Sequence, residues 1–531
     1  MAQPSKKGKK VTVAQVIREG ERALNGGKPE KALNCADQIL RVEPASLVGL
    51  KLRALALSRL DRGAEALTVQ QQVCLLEPDE PKELGKLIQM AAAEPKEART
   101  AVVAAERLRA MDPDDYERNK LLGALYGAIG WRRRAEELAL AAAAGREPFE
   151  TRRSKGEERL RVLKLFSIAN GTLRYNPASR GSVLQGTNNI SALLDREHVT
   201  IYEMPIESLD HKPDILEALP EVDVIYNAIA DGDRSGEALS RSLPYIDTLG
   251  VPVVNHPSSV LKSTRMGTHM RLRSLDGVIA PRTVNLTAQV GDCSRAIRKK
   301  VEANELSFPI LVRPRQMHGQ QHLVCFTAPE EVHYELPAGE QQDLNITEYV
   351  DCSFHSPKAP HLKLYAKYRF FIIDGELYPA HCEISDQYKV TLENSLPIMN
   401  QYPAFIEQAK RFLENPQAVL GDEVIERVRA VLEATELDYA AVDFCPLESG
   451  EIVVFEANAA MRNRLAGRRL PWEGEAYVRI LRAFHDLLIE RAGVSGWDYR
   501  LPQPTDAERE GTVDQTQLVY DHERPKEPTP A

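Results

Sequence analysis

Four prolines set the first constraint on this chain. Pro44, Pro78, Pro113 and Pro148 stand 34, 35 and 35 residues apart, in the similar settings RVEPAS, LLEPDE, AMDPDD and GREPFE. Between them run Ala- and Leu-rich stretches such as PEKALNCADQIL and AEALTVQQQVCLL. Their apolar residues recur at three- and four-residue steps, the spacing of an amphipathic helix. Turn signals, Gly26-Gly27-Lys28 and Gly130-Trp131, fall inside the period. Proline cannot continue a helix, so each unit reads as two antiparallel helices closed by a proline. One such pair cannot bury its apolar face alone, whereas several stack into a solenoid with a concave groove. A generic helical bundle leaves three nearly equal spacings unexplained.

The period resembles that of tetratricopeptide repeats, here over residues 11–150. The resemblance implies a protein or peptide partner in the groove. Before it, residues 1–10 (MAQPSKKGKK) are basic, and no apolar core or small-residue cleavage site follows. They read as a disordered leader rather than a secretion signal. Around residues 149–160, PFETRRSKGEER reads as a charged linker. The period then changes. Short β-rich runs appear at 162–169 (VLKLFSIA), 199–204 (VTIYEM), 222–230 (VDVIYNAIA) and 251–255 (VPVVN). Helix-like segments at 181–195 and 235–249 separate them, which predicts a small parallel α/β domain over 160–255. A second α/β region runs over 256–492. The tail from 496 to 531 is polar and Pro-rich, with too little apolar surface to order itself. The expected architecture is multidomain: an all-α repeat solenoid, then an α/β domain, then an α+β domain.

Composition removes several function classes. A chain of 531 residues is too long for one core. A formal net charge of −9 and a pI near 5.9 argue against a general nucleic-acid binder. No apolar stretch approaches the ~20 residues of a membrane helix. The seven cysteines are scattered and form no CxxC pair, which fits free thiols in a reducing cytoplasm. His318 and His322 sit four apart around a glycine in an expected loop, and a metal pair there is disfavoured.

The chemistry concentrates in residues 438–463, DYAAVDFCPLESGEIVVFEANAAMRN. Two strands, AAVDFCPL and EIVVFEANA, are joined by the turn Glu448-Ser449-Gly450. Glu456 and Asn458 are two apart and face one way. Asp443 precedes Glu456 by 13 residues, a distance at which a hairpin brings all three oxygens together. Two carboxylates and a carboxamide are hard donors of the kind magnesium takes alongside phosphate oxygens. The alternative is two exposed strands with ordinary surface acids.

The region from about 160 to 492 resembles the ATP-grasp superfamily, in the style of D-alanine–D-alanine ligase, glutathione synthetase and ribosomal-protein glutamate ligases. That resemblance implies ATP and magnesium or manganese, with Asp443, Glu456 and Asn458 as metal ligands. EANAAM lacks the family's Pro-Gly. Arg462-Asn463-Arg464 follows instead, and Arg464 becomes a candidate to face substrate. FPILVRPRQMHGQQH (308–322) resembles a family strand and phosphate loop. Arg313 would stand where Lys is commoner, a fork in place of a point charge, and Gly319 would be the loop glycine. Arg265, in Ser263-Thr264-Arg265-Met266, would be a second phosphate-facing base. ITEYVD (346–351) resembles the strand that meets adenine, with Glu348, Tyr349 and Val350 at the base and Asp351 at the ribose. KYRFFIIDGELYPAH (367–381) reads as a hairpin turning at Asp374-Gly375. On the resemblance, Arg369 would stabilise the transferred phosphoryl group, with Lys389 a second candidate. Taken singly, Arg265 reads as readily as a solvated helix residue, and Arg313, Arg369 and Lys389 read first as surface charges. The loop 170–182, NGTLRYNPASRGS, could hold an anion through Arg174, Arg180 and free amides, or be an ordinary connection.

The implied activity is an ATP-dependent carboxylate–amine or carboxylate–thiol ligase working through an acyl phosphate, with the repeats recruiting a protein or peptide. Two rivals remain open: a nucleotide-binding repeat scaffold with weak or no catalysis, and an ATP-grasp kinase.

Overall fold

A computed structural model of the chain describes residues 12–499, apart from 94, 130, 146–149, 169–172, 177–180, 185–187, 189–193, 212, 290, 316–322, 337–341 and 461–470. It divides into two compact units. Among the described residues, one comprises the chain through Gly145 together with 173–182, and the other takes 146–172 and the chain from 183 onward.

Through Gly145, the described residues of the first unit form eight α-helices: α1 (Val13–Asn25), α2 (Pro29–Val42), α3 (Leu47–Arg59), α4 (Gly63–Leu76), α5 (Pro81–Ala92), α6 (Ala98–Ala110), α7 (Tyr116–Ala128) and α8 (Arg132–Gly145). Pro44, Pro78 and Pro113 fall after α2, α4 and α6, so each closes a helical pair as the spacing predicts. Pro148 lies outside the described residues. Thr12 caps α1 in a reciprocal box with Gln15. The faces that meet are small and apolar: Ala32, Cys35, Ala36 and Ile39 of α2 are all buried. Gly20 of α1 lies so close to Leu52 of α3 and Cys35 of α2 that an added Cβ would force the Leu52 side chain to shift.

The second unit begins with a five-stranded sheet in the order Glu150–Arg152, Val199–Pro205, Leu160–Phe166, Val224–Asn227, Val253–Val254. The first strand is antiparallel and the other four are parallel. The charged linker therefore contains an edge strand, since its backbone pairs with Val199–Pro205 whatever its side-chain charge. Helix Gly232–Leu249 follows the fourth strand, as expected. The helix expected over 181–195 does not begin as one: Leu173–Asn176 and Gly181–Leu184 pair as a hairpin. Gly, Thr and Asn in this stretch are weak helix formers.

Two further sheets carry the candidate site. A four-stranded sheet orders Val324–Phe326, Ile310–Pro314, Gln342–Glu348 and Thr283–Ala288. A six-stranded sheet is built on the long strand Ala359–Ile373. Its partners are Ser353–Ser356, Glu376–Ser385 and Tyr439–Pro446, with Ile452–Asn458 and Val278–Ile279 beyond. The turn at Asp374-Gly375 has φ of 51° and 81°, both left-handed as a tight hairpin requires. One face of this sheet packs Tyr368, Phe370 and Phe444 against Phe405 and Phe412 of helix Pro403–Glu414. The other packs Phe371 and Tyr439 against Tyr477 and Phe484 of helix Gly474–Arg491. Asn255 ties the parallel sheet to the six-stranded one by exchanging two hydrogen bonds with the Tyr439 backbone, at 2.8 and 2.9 Å. Trp497 and Tyr499, expected in a disordered tail, pack on helix Gly474–Arg491, with Tyr499 stacked on His485. Two aromatic rings supply apolar area that the polar composition around them hides.

Candidate active site

The hairpin Tyr439–Pro446 and Ile452–Asn458 sets the register of the site. Asp443 pairs opposite Glu456, and Ala441 opposite Asn458. On the other side Asp443 pairs opposite Arg369, which pairs opposite His381. Cross-strand partners share a face, so Glu456, Asp443, Arg369 and His381 form one row across four strands. A bulge between Asp443 and Phe444 re-aims the second strand just before Glu456.

Within the row, Arg369 grips Asp443 as a fork. Nε lies 2.6 Å from Oδ1 and Nη2 lies 2.7 Å from Oδ2. Burial works against the charge on Arg369, but Asp443 outweighs it and holds the guanidinium firmly protonated. Asn458 donates from Nδ2 to Glu456 Oε1 at 2.9 Å and accepts from the Ala460 N–H at 2.9 Å. Arg265, the first residue of helix Arg265–Leu272, reaches the same Glu456 oxygen at 3.1 Å. Thr264 caps that helix through the Gly267 N–H, which fixes where Arg265 starts. For Arg265 too, burial opposes the charge, and Glu456 and Asp233 together prevail.

Arg313 comes to this place from the four-stranded sheet, where it pairs opposite Asn345. Enclosure and the nearby Arg265 pull its guanidinium down to about 9, against partial support from Glu456 and Asp233. It remains protonated at neutral pH, in a position where a further anion would be welcome.

The residues named from sequence thus divide. Arg265, Arg313, Arg369, Asp443, Glu456 and Asn458 converge. Lys389 instead donates to the Leu323 carbonyl at 2.7 Å, beside the four-stranded sheet. Glu348 and Asp351 are engaged locally. Glu348 accepts from the Ser307 N–H at 2.8 Å, and Asp351 pairs with Lys363 at 2.8 Å. Tyr349 meets Tyr388 edge-to-face, with centroids 5.9 Å apart. Val350 packs on the main core. Gly319 and Arg464 lie outside the described residues, as do His318, His322, Arg180 and the leader.

Sequence reasoning missed Asp233 and Arg315. Asp233 follows the strand Val224–Asn227 and is almost fully buried, at 3% side-chain exposure. Arg315 stands just past the strand Ile310–Pro314, two residues beyond Arg313, and that spacing was the one available signal. Lys367 and Glu383 were also passed over. They pair at 2.8 Å one pleat along from Arg369 and His381.

Asp443, Glu456 and Asn458 fit magnesium by donor type: two carboxylates and an amide oxygen on one face. Among the described residues, no three His, Cys, Asp or Glu side chains gather as a complete metal site, so the third protein donor would be the amide. All seven cysteines are free. No helix among the described residues is long and apolar enough to cross a membrane.

No family model matches the sequence, and no curated protein matches it. Solved structures do. The VanG D-Ala:D-Ser ligase from Enterococcus faecalis aligns at 15% identity, over 62% of this chain and 100% of its own, with a TM-score of 0.37. The ATP-grasp ligase PsnB, complexed with a minimal precursor, aligns at 14% identity over 51% of this chain and 79% of its own, with a TM-score of 0.29. MamA from Desulfovibrio magneticus RS-1 aligns at 24% identity over 25% of this chain and 75% of its own, with a TM-score of 0.23. The chain is similar in one part to MamA and in another to ligases of the ATP-grasp kind.

Proposed function

We propose that the chain is an ATP-dependent ligase that activates a carboxylate for attack by an amine or thiol, forming ADP and phosphate. One observation carries the reading: three arginines from three separate elements converge on a hairpin bearing two facing carboxylates and an amide. Arg265 and Arg313 would hold the nucleotide phosphates. Arg369 would balance the charge that spreads over the γ-phosphoryl oxygens as they pass to the substrate carboxylate. Asp443, Glu456 and Asn458 would hold magnesium or manganese, which when bound neutralises phosphate charge. Arg369 now takes both Asp443 oxygens, so its fork would have to open on one side to admit a cation. The substrate carboxylate is a poor electrophile because its charge repels a nucleophile, and phosphorylation removes that obstacle. The chain would supply positioning and electrostatics, with no covalent nucleophile of its own. The adenine would lie near Tyr349 and Val350, and Lys389 and Arg464 would stand toward substrate. The helical repeats, which we place over 11–150, would recruit a protein or peptide, in a cytoplasmic setting.

A second reading, nucleotide binding without turnover, draws on the same Arg369 fork, which already satisfies Asp443. Incubation with Mg-ATP and panels of acids and amines separates the two. Phosphate release that depends on an added acid and amine supports the ligase. ATP binding with no release on any pair supports the scaffold, and a phosphorylated stable product supports a kinase. Asp443→Asn and Glu456→Gln should each abolish release; full activity in either removes the metal assignment.

A further inference from the structure

Asp233 stands at the centre of an arrangement that the ligase reading does not use. The carboxylate is reached from two elements. From helix Arg265–Leu272, the Arg265 N–H donates to Oδ2 at 3.0 Å and Nη1 approaches the same oxygen at 3.4 Å. From the end of the four-stranded sheet, Arg315 Nε donates to Oδ1 at 2.9 Å. Arg315 also lies 3.6 Å from Asp343 on the neighbouring strand of that sheet, and its own N–H donates to the Asp343 carbonyl at 2.7 Å. Each oxygen of Asp233 therefore serves a different arginine.

The backbone that presents Asp233 is itself fixed. Asp231 caps helix Gly232–Leu249 by accepting from the N–H groups of Asp233 and Arg234 at 2.9 and 3.2 Å. A Cβ on Gly232 would fall 2.7 Å from the Val260 carbonyl, so this turn lies tightly against the segment leading into the Arg265 helix. A buried carboxylate without cations would be costly, and buried cations without it equally so. The three charges hold one another in place.

We propose that Asp233 is a positioning residue. It aims Arg265 at Glu456 and, through Arg315, anchors the four-stranded sheet that carries Arg313, so that both phosphate-facing arginines depend on one carboxylate. The idea rests on the ligase reading only for the identity of the anion; the anchoring stands on the ion pairs alone. Arg265 bridges Asp233 and Glu456, and neutralising Asp233 frees it to swing onto Glu456 alone. Arg315 lies immediately before the segment 316–322, and losing its anchor would loosen the strand on which Arg313 sits.

The test uses the full chain with Asp233→Asn and, separately, Arg315→Gln. Amide hydrogen exchange is followed without nucleotide, and Mg-ATP affinity is measured by calorimetry. Asp233→Asn should speed exchange in both Ile310–Pro314 and Arg265–Leu272 by roughly tenfold, with the helix Pro403–Glu414 unchanged. Arg315→Gln should speed only the Ile310–Pro314 arm. It tolerates the change, being partly exposed, and decides the matter should the Asn variant not fold. Parent-like exchange in both arms of either variant, or acceleration spread evenly over the chain, overturns the proposal. Where the parent binds Mg-ATP, Asp233→Asn should weaken it roughly tenfold, and parent-like affinity overturns the idea. A parent chain that does not bind Mg-ATP refutes the ligase reading, while the exchange result still decides on Asp233.

Discussion

Arg369 and Arg313 are both guanidinium groups in a crowded interior, and their neighbours give them opposite energetics. Arg369 has a dedicated carboxylate, so Arg369→Ala should leave Asp443 buried and unpaired. We expect a loss of ~3 kcal/mol in stability and of roughly 100-fold in substrate-dependent phosphate release, measured by denaturant melts and a phosphate assay. Arg369→Lys should recover stability in part, since an ammonium cannot reproduce the fork. Arg313 is held below its ordinary 12.5, at about 9, first by enclosure and then by Arg265. A base depressed in the folded state burdens folding at every pH below about 9, and the burden fades as pH rises from there toward 12.5. Arg313→Met should therefore stabilise the nucleotide-free chain at pH 7, by about 1–2 kcal/mol after solvent screening. The same change should weaken Mg-ATP binding by roughly tenfold. A variant that loses both stability and affinity would contradict the assignment. The convergence of Asp443, Glu456 and Asn458 was legible in sequence because a hairpin is a local object with period two. Asp233 was not, because its partner Arg315 lies 82 residues away and no local pattern links them.

Helix Gly474–Arg491 shows the same interplay of burial and charge on one element. His485 is fully buried, accepts from the Asp195 N–H at 2.9 Å and lies under Tyr499, with ring centroids 4.2 Å apart. Burial pushes it down to about 4 from 6.5, against the pull of Asp195. The folded chain then refuses a proton that the unfolded chain takes up below pH 6.5. Stability from this group is complete above pH 6.5 and is lost as pH falls toward 4, by on the order of 3 kcal/mol. Melting temperature followed from pH 7 to pH 4 should fall, and His485→Gln should flatten that slope. Several strands in the second unit announced themselves by β-branched residues, as at Val199–Pro205 and Val224–Asn227. The exceptions are short. Glu150–Arg152 has three residues, too few to show a period, and it is a strand because a neighbour offers it an edge. Trp497 and Tyr499 belong to no regular element, and only the helix beneath them explains their order.

The whole molecule separates into a helical unit and an α/β unit with distinct cores. Calorimetry should show two unfolding transitions. Gly20→Leu would drive a side chain into Leu52 and Cys35, so the helical transition should drop by several degrees while the other keeps its midpoint. A single transition that shifts as a whole would show the two cores to be cooperative. The repeats were the most readable part of the chain, because a period near 35 residues fixes architecture without any knowledge of contacts between distant positions. The order of the three sheets was not readable, since it depends on which strand ends meet in space.

Residues 173–182 belong with the helical unit although the chain enters them from the other unit and returns to it within ten residues. The first unit is therefore drawn from separate stretches of the chain. A protease nicking the chain near residue 150 would leave the helices without their borrowed piece, which stays on the other fragment. Two polypeptides divided at that point would share the first unit between them, so that neither alone would hold all of it.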